Sequence, residues 1–199
     1  TDVGVAFAAQ RMVGTRGVAS PGLAKFWGLT GYRMYAADML WTGVATHVVK
    51  DAGEFIDATL AHGVDAAVTE LALPAPAEPA PLAQVAHDLE ETFALPTWEE
   101  ISAELDKRPQ IGGEVRRLME RACPASVVAA NELFEAESQL EDIREALLLE
   151  LKLGMHMYRR PDFAEGVRAV LVDKTHDPQF APGTTAEVDL EEFRAVLKA

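Results

Sequence analysis

Apolar positions along this chain recur mostly three and four residues apart, and that spacing predicts a succession of helices. The Ala-rich segment from Val5 to Met12 fits a helix, as do Ala24 to Leu29 and the run Ala37-Asp38-Met39-Leu40-Trp41, which stops at Gly43. Asp51 to His62 returns to the same pattern. Thr97-Trp98-Glu99-Glu100 has the composition of a capping box, with Ile101 and Leu105 on one face behind it. Gln110 to Ala122 follows, then a helix that Ser126 can cap and that runs to about Glu137. The longest predicted helix extends from Leu140 to about Arg159. In it Leu140, Ile143, Leu147, Leu151 and Met155 form an apolar face between charged residues. Pro161 to Lys174 reads as a further helix: Asp162 can cap its first turn, Glu165 can reach back to that cap, and Phe163, Val167, Val170 and Leu171 share one face. A last helix starts at Asp189 and Glu192 and reaches Leu197.

Breaks in the pattern organise the rest. Gly14, Gly17, Ser20, Pro21 and Gly22 predict a loop. Val44 to Val49 is short and β-branched, the one convincing strand. Leu73 to Pro81 carries alternating prolines, which exclude helix and favour an extended linker. The predicted division is therefore residues 1–72, a linker at 73–82, and a helical domain at 83–199. The fold class is mainly α, with at most one or two short strands.

Composition narrows the function. The 199 residues include 49% hydrophobic side chains, ordinary for a globular protein with a sizeable core. A net charge of −14, from 32 acidic and 18 basic side chains, offers no basic surface for nucleic acid or an anionic membrane. The local basic run Arg116, Arg117 and Arg121 is flanked by Glu114 and Glu120 and reads as a solvated helix face. No apolar run approaches the roughly 20 residues that span a bilayer. One cysteine, Cys123, gives no internal disulfide and no zinc cluster. The first residue is not Met, and the N-terminus resembles neither a signal nor a transit peptide, so an internal fragment or a processed product is expected.

Motifs for chemistry are sparse. There is no glycine-rich phosphate loop, no His-x-x-x-His or Cys-x-x-Cys pair, and no Gly-x-Ser-x-Gly elbow. The histidines at 47, 62, 87, 156 and 176 lack metal-ligand spacing, and His47 reads as a structural histidine. Asp173-Lys174 suits either a surface ion pair or, through the Lys174 ammonium, a ligand phosphate.

Specific wording adds what periodicity lacks. Leu29-Thr30-Gly31-Tyr32-Arg33, Ala37-Asp38 and Gly43-Val44-Ala45-Thr46-His47-Val48-Val49 resemble the middle of the 3-hydroxyisobutyryl-CoA hydrolases, members of the enoyl-CoA hydratase/isomerase (crotonase) superfamily. Asp2-Val3-Gly4 resembles that family's Pro-Asp-Val-Gly turn, and Cys123-Pro124-Ala125-Ser126 its Cys-Ser-Pro-Thr-Ser helix start. The stretch Asp162 to Lys174 resembles its Asp-Phe-x-Glu-Gly-Val-Arg-Ala-x-Leu-Ile-Asp-Lys signature, and Pro178-Gln179-Phe180-Ala181-Pro182 the Pro-Lys-Trp-Lys-Pro that follows. The elements come in family order over nearly the whole chain.

The resemblance implies the C-terminal helical half of an α/β crotonase fold and hydrolysis of a CoA thioester in valine breakdown, with no metal or redox cofactor and the CoA thioester as substrate. It implies that Asp2 is the catalytic Asp that assists an upstream Glu, and that Lys174 touches CoA phosphates. It also implies a mitochondrial setting. The half that carries that Glu and the oxyanion-binding amides is not represented in these residues, Thr1 replaces the usual Pro, and Val5 and Ala6 replace two glycines. β-branched Val5 resists the positive φ that glycine permits. Two functions are therefore expected from the sequence. The favoured one is a non-catalytic structural subunit of a larger, possibly ribosomal, mitochondrial assembly, held by other protein chains against an exposed apolar helical face with little nucleic-acid contact and no membrane. The other is an active thioester hydrolase whose N-terminal half is supplied by another segment.

Overall fold

The computed structural model describes residues 3–198. Twelve α-helices are present among them: α1 (Val5–Ala9), α2 (Pro21–Thr30), α3 (Ala36–Thr42), α4 (Ala52–His62), α5 (Val64–Leu71), α6 (Ala86–Phe93), α7 (Trp98–Lys107), α8 (Pro109–Met119), α9 (Pro124–Ser138), α10 (Ile143–Arg159), α11 (Pro161–Val167) and α12 (Leu190–Lys198). One π-helical turn, Arg168–Val172, extends α11. Strand structure among the described residues is limited to β1 (Val48–Val49) and β2 (Ala72–Leu73), antiparallel, with Val48 opposite Leu73 and Val49 opposite Ala72. The fold is thus mainly α, and the strand expected from Val44 is confined to its last two residues.

The chain forms two compact units. The first comprises the chain up to Arg11, Ser20–Tyr32 and the chain from Ala86 onward; the second comprises Met12–Ala19 and Arg33–Val85.

In the first unit everything is arranged around α9. Its buried side chains include Ala125, Val127, Val128, Leu133 and Phe134, distributed around the helix instead of along one stripe. A helix apolar on all sides belongs inside a core. One side of α9 meets Leu153 of α10 and Phe193 of α12, with Trp98 of α7 packed at the margin. Another meets Ala6 and Ala9 of α1 and Ala24 of α2 through Phe134, with Trp27 beside them. Phe93, Phe134 and Phe193 have essentially no exposed surface. Each such ring contributes roughly 2 kcal/mol of transfer free energy. Phe26 and Phe93 meet edge to face, with centroids 5.4 Å apart, and join α2 to α6.

Helix ends follow local chemistry. Thr97 and Glu100 form the expected capping box at α7. Ser20 caps α2 by accepting from the Leu23 amide at 3.2 Å, and Gly31 ends it with φ 62°. α9 begins at Pro124, two residues before the expected Ser126 cap, because proline fits the first helical turn at no hydrogen-bond cost. α10 is capped by Asp142, whose carboxylate accepts from the Arg144 amide at 2.8 Å.

The face of α10 that the spacing assigns to the core is the exposed one. Leu147, Leu151 and Met155 are 41%, 61% and 44% exposed, while Ala146, Glu150 and Leu153 on the other side are buried. Both sides of this helix are apolar. Periodicity detects the denser stripe and cannot tell which of two the core selects. Arg117 and Glu114 pair at 2.9 Å and Arg116 and Asp106 at 2.8 Å, so the basic run of α8 is a solvated, internally neutralised face.

The second unit is tied together at two glycines. A Cβ on Gly14 would lie 2.3 Å from the Gly43 amide nitrogen and the Trp41 carbonyl. Both glycines have positive φ, so only glycine fits at either position. Asp38, fully buried in α3, accepts from the Leu82 amide at 3.0 Å and holds the turn at Pro81–Gln84. Asp51 caps α4 through the Glu54 amide at 2.8 Å.

Gly22 offers a direct test of helix packing in the first unit. A Cβ there would sit 2.6 Å from the Glu90 carbonyl oxygen of α6. Gly22→Ala should therefore destabilise by about 1–3 kcal/mol, opposite in sign to the usual gain from replacing a helical glycine. Urea denaturation measures it, and an increased midpoint would contradict this packing.

Candidate functional site

The N-terminal turn and the helix ends beneath it form the best-defined polar cluster. Asp2, the residue that the resemblance marks as catalytic, lies outside the described residues. The chain is described from Val3, which is 76% exposed with φ 51°. Gly4 follows with φ 78° and ψ 10° as the N-cap of α1. Left-handed backbone at two successive positions makes a sharp turn that costs little at glycine but strains β-branched Val3. Val5 begins α1 and is not among the residues with positive φ, so the replacement of glycine there carries no backbone penalty.

A buried carboxylate holds this turn. The Gly4 amide donates to Oε2 of Glu150 at 2.7 Å. Glu150 lies on the buried side of α10, two turns beyond Ile143, and a Cβ on Gly4 would press to 3.1 Å from the Ile143 Cδ1. α10 thus supplies both the carboxylate that takes the amide and the apolar wall against which the glycine sits. Charge-assisted bonds from a backbone N–H to a carboxylate are among the stronger hydrogen bonds in proteins.

Beside it stands Glu137, at the end of α9 and fully buried. Burial, and next the Glu150 carboxylate, push its carboxyl up to about 7, with Arg11 and the Phe7 backbone amide opposing the shift. The Arg11 guanidinium is occupied with backbone oxygens. It donates to Phe7 O at 2.7 Å, to Glu137 O at 3.2 Å and to Leu140 O, and it lies 3.6 Å over the Phe7 ring. It caps the carbonyl end of α9, where a cation is favoured. Gln10 adds a bond to Phe134 O at 3.2 Å. Sequence inspection passed over Glu137, Glu150 and Arg11. The available signal was Glu150 itself, an acid between Ala146 and Leu153 on one helical face.

The late signature folds differently from the helix cap its spacing predicts. α11 is capped at Arg160 without a side-chain bond. Asp162 instead accepts from the Ala181 amide at 3.0 Å and from Arg160 Nε at 3.3 Å. Glu165 takes Arg168 in two bonds at 2.7 and 2.8 Å and the Gln179 amide at 2.7 Å, and these partners hold it down to about 2. The two acids therefore clasp residues 179–181 against α11. Proline at the first helical position explains the departure, since it removes a donor and leaves the acids available for other amides. Asp173 pairs with Arg168, not with Lys174. Lys174 is exposed in left-handed backbone with φ 55°, as is His176 at φ 57°. His47 is exposed and its Nδ1 lies 3.0 Å from Thr46 Oγ1.

The profile of the enoyl-CoA hydratase/isomerase family matches residues 1–197, and the chain belongs to that family. It is similar to the protein named "3-hydroxyisobutyryl-CoA hydrolase, mitochondrial" of Homo sapiens, 27% identical over 197 residues that cover 89% of this chain and 49% of that protein. The Dictyostelium discoideum protein of the same name is 27% identical over 104 residues, covering 51% of this chain and 27% of that protein. Among solved structures, a carnitinyl-CoA dehydratase from Mycobacterium thermoresistibile superposes with a TM-score of 0.81 at 29% identity, covering 98% of this chain and 55% of that one. The chain spans about half the length, or less, of these relatives.

Glu137 gives a pH test with a defined sign. Its folded value of about 7 stands above the ordinary 4.5, so the folded state holds this proton more tightly than the unfolded state. Its contribution to stability is complete below pH 4.5 and is lost as pH rises from 4.5 through 7. Glu137→Gln should therefore raise the Tm at pH 8, by no more than about 3 kcal/mol of stability, with the difference closing by pH 4. Thermal unfolding at the two pH values reads it.

Proposed function

We propose that this chain is the C-terminal half of an acyl-CoA thioester hydrolase of the 3-hydroxyisobutyryl-CoA type, working with an N-terminal half like that of its longer relatives. The observation that carries the reading is the seating of the Val3-Gly4 turn, next to Asp2 in sequence, whose Gly4 amide is held by buried Glu150. A turn that had lost its role has no need of a buried carboxylate, which costs free energy to keep.

In this reading Asp2 faces the reacting thioester and assists the carboxylate that activates water. Water adds to the acyl carbonyl, charge develops on its oxygen, and the CoA thiolate leaves as the carbon–sulfur bond breaks. Backbone amides that stabilise the oxyanion belong to the other half. Lys174, exposed at the end of the signature, is placed in the role of a contact to CoA phosphates. The substrate is the CoA thioester, without a metal or redox cofactor. The mitochondrial names of animal relatives support a mitochondrial setting.

A second reading, a non-catalytic subunit of a larger assembly, draws on one observation of its own. The outer face of α10 leaves Leu147, Leu148, Leu151 and Tyr158 between 41% and 61% exposed, which suits burial against another polypeptide. A covering catalytic half accounts for the same surface.

Release of CoA from 3-hydroxyisobutyryl-CoA by the complete protein that contains this chain separates the two. The hydrolase reading expects turnover that Asp2→Asn lowers by about 10²–10⁴-fold. Absence of turnover, with the protein migrating in a large complex, establishes the structural reading instead.

A further inference from the structure

We infer that Glu150 is a positioning residue for the Val3-Gly4 turn that follows Asp2 in sequence, acting through the Gly4 amide from a buried place on α10. Its catalytic consequence rests on the hydrolase reading above; its structural consequence does not. One residue, Val3, separates Asp2 in sequence from the amide that Glu150 holds. The bond is 2.7 Å long and joins residues 146 apart in sequence.

Two features distinguish this contact from an incidental helix cap. First, Glu150 is only 8% exposed, and among the described residues its carboxylate takes the Gly4 amide on Oε2 while Oε1 has no hydrogen-bond partner. Second, the site is surrounded by features that restrict motion. Ile143 walls the glycine from α10, Phe134 of α9 packs on Ala6 and Ala9 of α1, and Arg11 pins the end of α9 to the end of α1. Glu137 faces Glu150 from α9, so two acids lie under one turn, with Arg11 the cation beside them. A fold seeking stability alone does better with apolar side chains at both positions. The arrangement instead fixes the backbone of Val3 and Gly4, the residues that follow Asp2 in sequence. A displacement of about 1 Å at a reacting group costs on the order of a hundredfold in rate.

The test uses Glu150→Leu and Glu150→Gln in the complete protein. Leucine matches the apolar side chains Leu133 and Leu153 that line the same pocket, but it cannot accept the amide, and circular dichroism checks that the variant is folded. Glutamine keeps an acceptor oxygen. Hydrogen exchange at the Gly4 amide should accelerate at least about tenfold in Glu150→Leu and remain near the parent rate in Glu150→Gln. The kcat for CoA release should fall at least about tenfold in Glu150→Leu with KM little changed, and be largely restored in Glu150→Gln. Unchanged Gly4 exchange in Glu150→Leu overturns the positioning role whatever the activity. Faster exchange with unchanged kcat confines Glu150 to stability and overturns it equally. If the parent shows no turnover, the hydrolase reading fails, and Gly4 exchange alone decides whether Glu150 holds the turn.

Discussion

The structure depends on one helix being surrounded. α9 is packed by α1, α2, α7, α10 and α12, which leaves solvent only Ser126, Ser138 and part of Glu135 among its polar side chains. Three polar side chains are buried on it nonetheless. Asn131 reaches the Pro96 carbonyl at 2.8 Å, and Glu132 takes Arg194 at 2.7 Å, so α9 is bonded to the segment before α7 and to α12. Glu137 makes no comparable bond to another helix; burial and the Glu150 carboxylate push its carboxyl up, against the opposing pull of Arg11 and the Phe7 backbone amide. Buried charges in proteins are normally paired. Two carboxylates, Glu137 and Glu150, instead lie together beneath the Val3-Gly4 turn.

Much of the fold was legible because local rules and packing agree. The capping box at Thr97 and the glycine stops at Gly31 and Gly43 form as their residue types require, and the alternating prolines exclude helix between Ala72–Leu73 and Pro81–Gln84. Misreadings occurred where a residue had two physically acceptable partners. Asp162 suits a cap, but Pro161 and the nearby Ala181 amide draw it elsewhere. Asp173 has Lys174 as neighbour, yet Arg168 one turn back offers a planar donor in better geometry. α10 has two apolar sides, and α9 and α12 take the sparser one. None of these choices is set within a short window of sequence.

Candidate chemistry divides in the same way. Family wording pointed to Asp2 and Lys174 because turns and signatures are local in sequence. Glu150 meets Gly4 from 146 residues away, and Glu137 meets Glu150 from a different helix, so only the folded chain brings these groups together. A single acid within an apolar helical face was the one trace left in the sequence.

The account rests on Asp2 being presented to an acyl-CoA by a turn that Glu150 holds. Crystals of the complete protein with 3-hydroxyisobutyrate and CoA bound test it most directly. The account predicts the Asp2 carboxylate within about 4 Å of the acyl group, or one water from it, with the Gly4 amide still on Glu150. An Asp2 carboxylate turned away from the bound acid, or a Gly4 amide bonded elsewhere, would contradict it.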